Sequence, residues 1–313
     1  MIVRNLGVEL FRIICMLAIC MQHAVYFSNT GAKGFEGRFW NFGVVGFALI
    51  TGYYGVSFKM AKIVKLWVLA IVCACIVSLF GEAVGVPGGG GVGLTDLVCT
   101  NWYLNGYTVL ILLSPLLNAA LDNLFVPENK ERLRLAVIAL AILVCWSWFQ
   151  ELWGIRAYVP KMAGMGRQSF MTLVYIYVVG RCLHNYGLPD CLVKYRTVIM
   201  LASFALIPLL GSYTSPVTIL FTVFLFCFFE GIQVSHKYVR AINIIVPSLF
   251  AVYLLHTNPV GFQLINKCCD CLIHAGFCRY IAYVAAALTV FSICLIVDAP
   301  RRLIIWSGKH YMQ

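Results

Sequence analysis

The chain opens with the apolar stretch Arg4-Asn-Leu-Gly-Val-Glu-Leu-Phe-Arg12-Ile-Ile-Cys-Met-Leu-Ala-Ile-Cys-Met-Gln-His23, which carries a permanent cation and a titratable base. An α-helix turns about 100° per residue, so Arg12 and His23 lie within roughly 20° of one another around the helix. A rise of about 1.5 Å per residue separates them by about 16 Å along the axis. One helix is therefore predicted to present an arginine and a histidine on the same face.

Composition indicates a polytopic membrane protein. The 313 residues are 62% hydrophobic and 11% charged, with a mean hydropathy of +0.89, whereas a soluble domain is about 25% charged. We expect a single membrane domain over residues 1–313, without a separate soluble domain. The net charge of +11 is explained by loop lysines and arginines that set membrane topology, and no nucleic-acid partner is expected.

The hydropathy pattern predicts an all-α membrane bundle of about ten transmembrane helices, each near the length of about 20 residues that spans a bilayer. The predicted spans are 6–27, 39–57, 63–84, 102–121, 133–153, 168–186, 197–212, 216–232, 246–265 and 280–298. With the N-terminus inside, fifteen of the 23 Lys and Arg residues fall in cytoplasmic loops and seven in outer loops. This bias predicts that both termini are cytoplasmic.

Ionisable residues inside a membrane span are costly and are usually retained for function. His23 fits a general base, because imidazole titrates near neutral pH; the alternative is a histidine that is hydrogen-bonded inside the bundle. Arg12 fits a clamp on a phosphate or carbonyl group of a ligand, because guanidinium stays charged and forms bidentate bonds. Glu9, three residues earlier, can pair with Arg12 and orient it, and both roles are compatible.

Two further groups of residues each have a functional interpretation and an ordinary structural one. Lys59, Lys62 and Lys65 could attract the phosphates of an anionic ligand, or they could simply anchor the cytoplasmic end of a span. The other group is predicted to line a ligand pocket, and its members are Trp102, Tyr103, Tyr253, His256 and Asn258. The aromatic pair could instead belong to an interfacial belt, and His256 could make a helix–helix hydrogen bond.

No metal site is expected. The cysteines at 268, 269, 271 and 278 with His274 include two adjacent cysteines, a pattern that is not typical of metal ligands, and we assign them no role. There is no Gly-x-Ser-x-Gly motif that would indicate a serine acyl-enzyme.

Several segments together resemble a family, the integral membrane acyltransferases of the acyltransferase-3 type. The most specific is the opening Arg-Asn-x-Gly-x-Glu-Leu-x-Arg12 followed by His23. The others are similar to motifs along that family's spans, and they are Leu49-Ile-Thr-Gly52-Tyr53-Tyr54, Asn101-Trp102-Tyr103-Leu104, Leu113-Ser-Pro-Leu-Leu-Asn118, Tyr177-Val-Val-Gly180-Arg181, Val252-Tyr253-Leu-Leu-His256-Thr-Asn258-Pro259 and Asp298-Ala-Pro-Arg301. The resemblance covers the chain from Arg4 to about Arg302.

The resemblance implies a membrane O-acyltransferase of a bacterial plasma membrane. It would move an acyl group, expected to be acetyl, from cytosolic acyl-CoA to a hydroxyl of a cell-surface or lipid-linked saccharide, with no bound cofactor. The resemblance then implies that the anionic ligand of Arg12 and of the three lysines is acyl-CoA. It also implies that the ligand pocket of Trp102, Tyr103, Tyr253, His256 and Asn258 holds the acceptor. Direct transfer and an acylated-histidine intermediate both remain open. The rival interpretations are a transporter or flippase for a polysaccharide intermediate or small solute, and a sensor or assembly subunit in which Arg12 and Glu9 are purely structural.

Overall fold

The computed structural model describes residues 5–28, 35–83, 101–152 and 169–310, and all regular secondary structure in these ranges is helical. The α-helices are α1 (Leu6–Phe27), α2 (Phe35–Arg38), α3 (Phe42–Tyr54), α4 (Met60–Ala83), α5 (Trp102–Leu124), α6 (Lys130–Leu152), α7 (Phe170–Tyr186), α8 (Asp190–Lys194), α9 (Arg196–Leu210), α10 (Pro216–Glu230), α11 (Val239–Ile245), α12 (Leu249–His256), α13 (Pro259–His274) and α14 (Arg279–His310). Short 3₁₀ turns join several of them, among them Phe39–Asn41 and Val246–Ser248.

Five helical segments in the described ranges are long and apolar enough to cross a membrane. They are Leu6–Phe27, Met60–Gly81, Trp102–Leu124, Val239–His256 and Arg279–Leu303. Two further apolar helices, α9 and α10, have 15 residues each, which is shorter than the roughly 20 residues that span a bilayer. The helical fold class and the membrane character are therefore confirmed, while ten spans and cytoplasmic termini stay predictions.

Several predicted boundaries agree with the structure because local signals set them. The prediction 6–27 coincides with α1, whose first turn is capped by the Asn5 side chain accepting a hydrogen bond from the backbone N–H of Val8. The prediction 168–186 differs from α7 only at its start, where Ser169 caps the helix through Thr172. Capping side chains satisfy the unpaired N–H groups of a first turn, so helix starts of this kind can be predicted from the sequence.

The predicted continuous helix 246–265 is wrong, because the chain breaks at Thr257 and Asn258. Helix α12 ends at His256, and α13 begins at Pro259 with the Asn258 side chain as its cap. Proline lacks an N–H and disfavours helical geometry at the preceding residue, so Asn258 adopts an extended conformation with φ −149° and ψ 167°. His256 therefore lies at a helix end.

The predicted second span, 39–57, also differs from the structure. A 3₁₀ turn at Phe39–Asn41 precedes α3, which has 13 residues and ends at Tyr54. The next residue, Gly55, has φ +72°. This is the left-handed region that glycine adopts without steric cost, so it stops the helix there. The predicted last span, 280–298, is in contrast shorter than the observed helix, since α14 runs from Arg279 to His310.

The chain divides into two compact units. The first unit comprises Met1–Gly43, Trp67–Thr100 and Phe228–Gln313, and the second comprises Val44–Leu66 and Asn101–Cys227. In the first unit α1 packs against α12, α13 and α14, and most of its apolar side chains are buried there. In the second unit the main packing is between α5 and α7. The prediction of one domain over the whole chain stays a prediction.

Candidate functional site

The two charged residues of α1 form an ion pair within the first unit. The Arg12 guanidinium donates from Nη1 to Glu9, with distances of 3.5 Å to Oε1 and 3.4 Å to Oε2. Glu9 is buried, whereas 31% of the Arg12 side chain is exposed. A guanidinium has five N–H donors, so pairing with Glu9 leaves Arg12 able to bind a second anionic group. The structural and the ligand-binding roles predicted for Arg12 are thus geometrically compatible.

His23 lies on α1 among aromatic rings of the first unit. Its ring centroid is 5.0 Å from that of His256, 5.3 Å from that of Phe262 and 5.8 Å from that of Phe27. The Nδ1 atom is buried and has no hydrogen-bond partner among the described residues. An imidazole nitrogen held in an apolar site without an internal partner is available to exchange a proton with a substrate.

His256 faces His23 but has both ring nitrogens engaged. It is fully buried, and its Nδ1 lies 2.6 Å from the carbonyl oxygen of Val252. A carbonyl only accepts, so Nδ1 carries the proton and Nε2 is the acceptor in the neutral ring. The Cys20 thiol, 3.8 Å from Nε2, can donate to it. Of the two histidines, His23 is therefore the one with a buried nitrogen that has no partner among the described residues.

Tyr253 and Asn258 flank His256 along the chain. The Tyr253 ring is buried with its centroid 6.2 Å from that of His256. The Asn258 side chain accepts from the N–H of Gly261 at 2.9 Å and donates to the carbonyl oxygen of Leu255 at 2.7 Å. These bonds join α12 to α13, so we assign Asn258 to the helix junction. Contact of these residues with an acceptor stays a prediction.

The three lysines and the aromatic pair belong to the second unit. Lys59, Lys62 and Lys65 are all exposed near the start of α4. The Nζ atom of Lys62 lies 5.9 Å from the ring centroid of Tyr107, which is within the range of a cation–π interaction. The exposed ammonium groups fit either an anionic ligand or lipid headgroups, so both interpretations of the lysines remain open.

The aromatic pair, Trp102 and Tyr103, forms the start of α5 directly after the capping residue Asn101. The Trp102 ring centroid is 5.8 Å from that of Tyr213, and the Tyr103 ring stacks at 6.2 Å on Tyr107. Tyr103 is buried, whereas Trp102 is partly exposed. Trp102 is therefore partly accessible, whereas Tyr103 has the character of a packed core residue.

Three of the quoted motif segments meet inside the second unit, where they serve helix packing. A Cβ on Gly180 would lie 2.5 Å from the Leu49 carbonyl oxygen and 2.7 Å from the Tyr53 nitrogen. The Tyr177 hydroxyl donates to Asn118 Oδ1 at 2.6 Å. Close helix contact through glycine and a shared polar group are how membrane helices associate. These motifs therefore have a structural explanation that is independent of any catalytic one.

The last motif segment, Asp298-Ala-Pro-Arg301, holds a buried carboxylate in the first unit. Asp298 accepts two bonds from Arg301, at 2.6 and 2.7 Å, and one from the Ser248 hydroxyl at 2.6 Å. The Arg301 guanidinium also donates to the Pro247 carbonyl oxygen at 3.2 Å. This arrangement fastens α14 to the turn before α12. The role of Ser248 is not predictable from the sequence, since a lone serine in an apolar run gives no signal of its partner.

The cysteine group lies on α13 and just beyond it. His274 Nδ1 is 2.7 Å from the carbonyl oxygen of Asp270, and Cys269 is fully buried. Among the residues that the structure describes, no group of three or more His, Cys, Asp or Glu side chains is arranged to hold a metal ion.

Comparisons with known proteins give no relative: no family model, no curated protein and no solved structure matches this chain. Arg4, the first residue of the opening motif, lies outside the described residues.

Proposed function

We propose that this protein is a membrane O-acyltransferase that moves an acyl group, with acetyl as the expected case, from cytosolic acyl-CoA to a saccharide hydroxyl. The observation that carries the proposal is His23, whose buried Nδ1 has no partner among the described residues. It lies on the same helix as the partly exposed Arg12. A base and an anion-binding group on one helix face are what acyl transfer from a phosphorylated donor requires.

In this proposal Arg12, oriented by Glu9, binds a phosphate or the carbonyl of the donor. The exposed ammonium groups of Lys59, Lys62 and Lys65 add a positive field that attracts acyl-CoA. Both termini and the donor are cytoplasmic, and the protein crosses a bacterial plasma membrane about ten times. The acceptor is a cell-surface or lipid-linked saccharide.

The chemical step conserves atoms without a further reactant. An acceptor oxygen forms a C–O bond to the thioester carbonyl carbon while its hydroxyl proton passes to His23. The C–S bond then breaks, and the leaving thiolate takes up a proton. His256 keeps its own nitrogens engaged with Val252 and Cys20, so it shapes the site and takes no proton from the acceptor.

A transporter or flippase is the second candidate, and one observation favours it. The chain is interrupted between α12 and α13, beside the His23–His256 pair. Interrupted helices commonly form the substrate site of secondary transporters. A transporter has no need of acyl-CoA, so donor consumption separates the two candidates.

The test is acyl-CoA turnover by the purified protein in nanodiscs. Acetyl-CoA labelled in the acetyl group is supplied with a bacterial envelope glycan extract, and label in glycan and free thiol are measured together. The proposal expects equal amounts of both products. Absence of thiol release with acetyl-CoA and with longer acyl-CoAs would refute the transferase and favour the transporter.

A further inference from the structure

A buried pair of side-chain amides lies beside the candidate base in the first unit. Gln22 and Asn41 are only 3% and 2% exposed, and Gln22 Nε2 donates to Asn41 Oδ1 at 2.5 Å. Asn41 ends the 3₁₀ turn Phe39–Asn41, which packs on α1. Two residues later, a Cβ on Gly43 would lie 2.5 Å from the Cys15 carbonyl oxygen. The turn is thus held tightly against α1, and the amide of Asn41 has a fixed position.

The bond from Gln22 engages one end of the Asn41 amide and leaves the other end without that partner. A primary amide offers one carbonyl oxygen and two N–H donors. The oxygen is taken by Gln22, and the buried Nδ2 has no hydrogen-bond partner among the described residues. Leaving a buried donor unpaired costs about 1–3 kcal/mol. The Asn258 amide, in contrast, is satisfied at both ends, whereas Asn41 keeps a buried donor that no described residue takes up.

The residue that bonds Asn41 is the neighbour of His23 on α1. Gln22 and His23 are consecutive, so their side chains leave the helix about 1.5 Å apart along the axis and about 100° apart around it. His23 Nδ1 and Asn41 Nδ2 are both buried and have no hydrogen-bond partner among the described residues.

We propose that Asn41 is a catalytic residue whose side-chain N–H donates to the carbonyl oxygen of the acyl donor. Gln22 is the positioning residue that holds the Asn41 amide in this orientation. As the acceptor oxygen attacks, negative charge develops on the carbonyl oxygen, and a fixed N–H donor in a dry site stabilises that charge without reorganising. This inference rests on the proposed acyltransferase function and adds the oxyanion donor that His23 alone does not supply.

The test uses two Asn41 variants in nanodiscs with acetyl-CoA and the glycan extract. Asn41→Leu removes the amide, and Asn41→Asp keeps an oxygen for Gln22 while replacing the N–H donor. Removing one oxyanion donor is expected to lower kcat about 100-fold or more. The KM for acetyl-CoA should change little, because the bond strengthens only as charge develops. A structural defect would instead reduce the amount of folded protein and leave kcat per folded molecule unchanged.

Asn118→Leu is the matched control, because both ends of the Asn118 amide are engaged internally, with Tyr177 and with Val56. It should lower the yield of folded protein without lowering kcat of the folded fraction. If the wild type transfers acetyl and folded Asn41 variants keep kcat within a few-fold, the inference is wrong and the transferase stands. If the wild type itself turns over no acyl-CoA, the transferase and the role of Asn41 are both refuted.

Discussion

Replacing Tyr177 with Phe removes one hydroxyl from the interior of the second unit and leaves the ring that packs there. Tyr177 is fully buried. Its hydroxyl donates to Asn118 Oδ1 at 2.6 Å and accepts from the backbone N–H of Val56 at 3.2 Å. The Asn118 amide is oriented for this by its own donation to the Val56 carbonyl oxygen at 2.8 Å. One hydroxyl therefore connects α7, α5 and the segment after α3.

The magnitude follows from the two bonds that are lost. Hydrogen bonds between membrane helices contribute on average about 0.6 kcal/mol and at most about 1.7 kcal/mol each. Val56 is only 3% exposed, so its N–H would be left buried without that partner, which adds to the loss. Because the ring stays, no cavity opens, and we expect the free energy of unfolding to fall by about 1–3 kcal/mol.

The assay is reversible unfolding of the purified protein in mixed micelles with increasing SDS, followed by tryptophan fluorescence. Tyr186→Phe is the matched control, because Tyr186 is 56% exposed and its hydroxyl reaches the Phe125 carbonyl oxygen only at 3.4 Å. The control should cost less than about 0.5 kcal/mol, as surface substitutions usually do. An effect of Tyr177→Phe equal to that of the control would refute the hydrogen-bonded junction.

Two more substitutions test the packing of the motif segments. Gly180→Ala should strongly reduce the amount of folded protein measured by size exclusion, because the new Cβ meets the Leu49 carbonyl oxygen at 2.5 Å. Gly106→Ala is its control and should have a milder effect in the same assay, because its Cβ meets the end of a flexible side chain at 2.9 Å. Asp298→Ala should lower the free energy of unfolding by about 3 kcal/mol, the low end for breaking a buried ion pair, since 29% of the Arg301 side chain is exposed. SDS unfolding at neutral pH measures this loss, and an unchanged midpoint would contradict it.

Much of the fold could be predicted from the sequence where local chemistry decides it. The start of α1 depends on the Asn5 cap, and the start of α10 at Pro216 follows from proline being accepted in a first helical turn. The breaks at Asn41 and at Thr257 were missed, because hydropathy stays high across both and a window of about 20 residues averages over a turn. Pro259 is the one local signal of the second break, because proline disfavours helical geometry at the residue before it.

The candidate site was predictable only for residues that are unusual in an apolar helix. Arg12 and His23 stand out because ionisable groups are rare there. Gln22 and Asn41 do not, because their significance comes from a contact between residues 19 positions apart. The engagement of His256 Nε2 likewise depends on Cys20, which is 236 positions away in the chain. Such long-range pairs are set by packing, which single-sequence patterns do not report.

The central claim is that His23 is the base for acyl transfer, and His23→Gln in nanodiscs with acetyl-CoA and the glycan extract tests it most directly. His274→Gln is the matched control, because His274 is exposed on α13 and its Nδ1 is bonded to the Asp270 carbonyl oxygen. We expect His23→Gln to lower the rate of acetyl transfer about 10²–10⁴-fold, the usual contribution of a general base, with His274→Gln unchanged. Transfer by folded His23→Gln within a few-fold of the wild-type rate would contradict the claim.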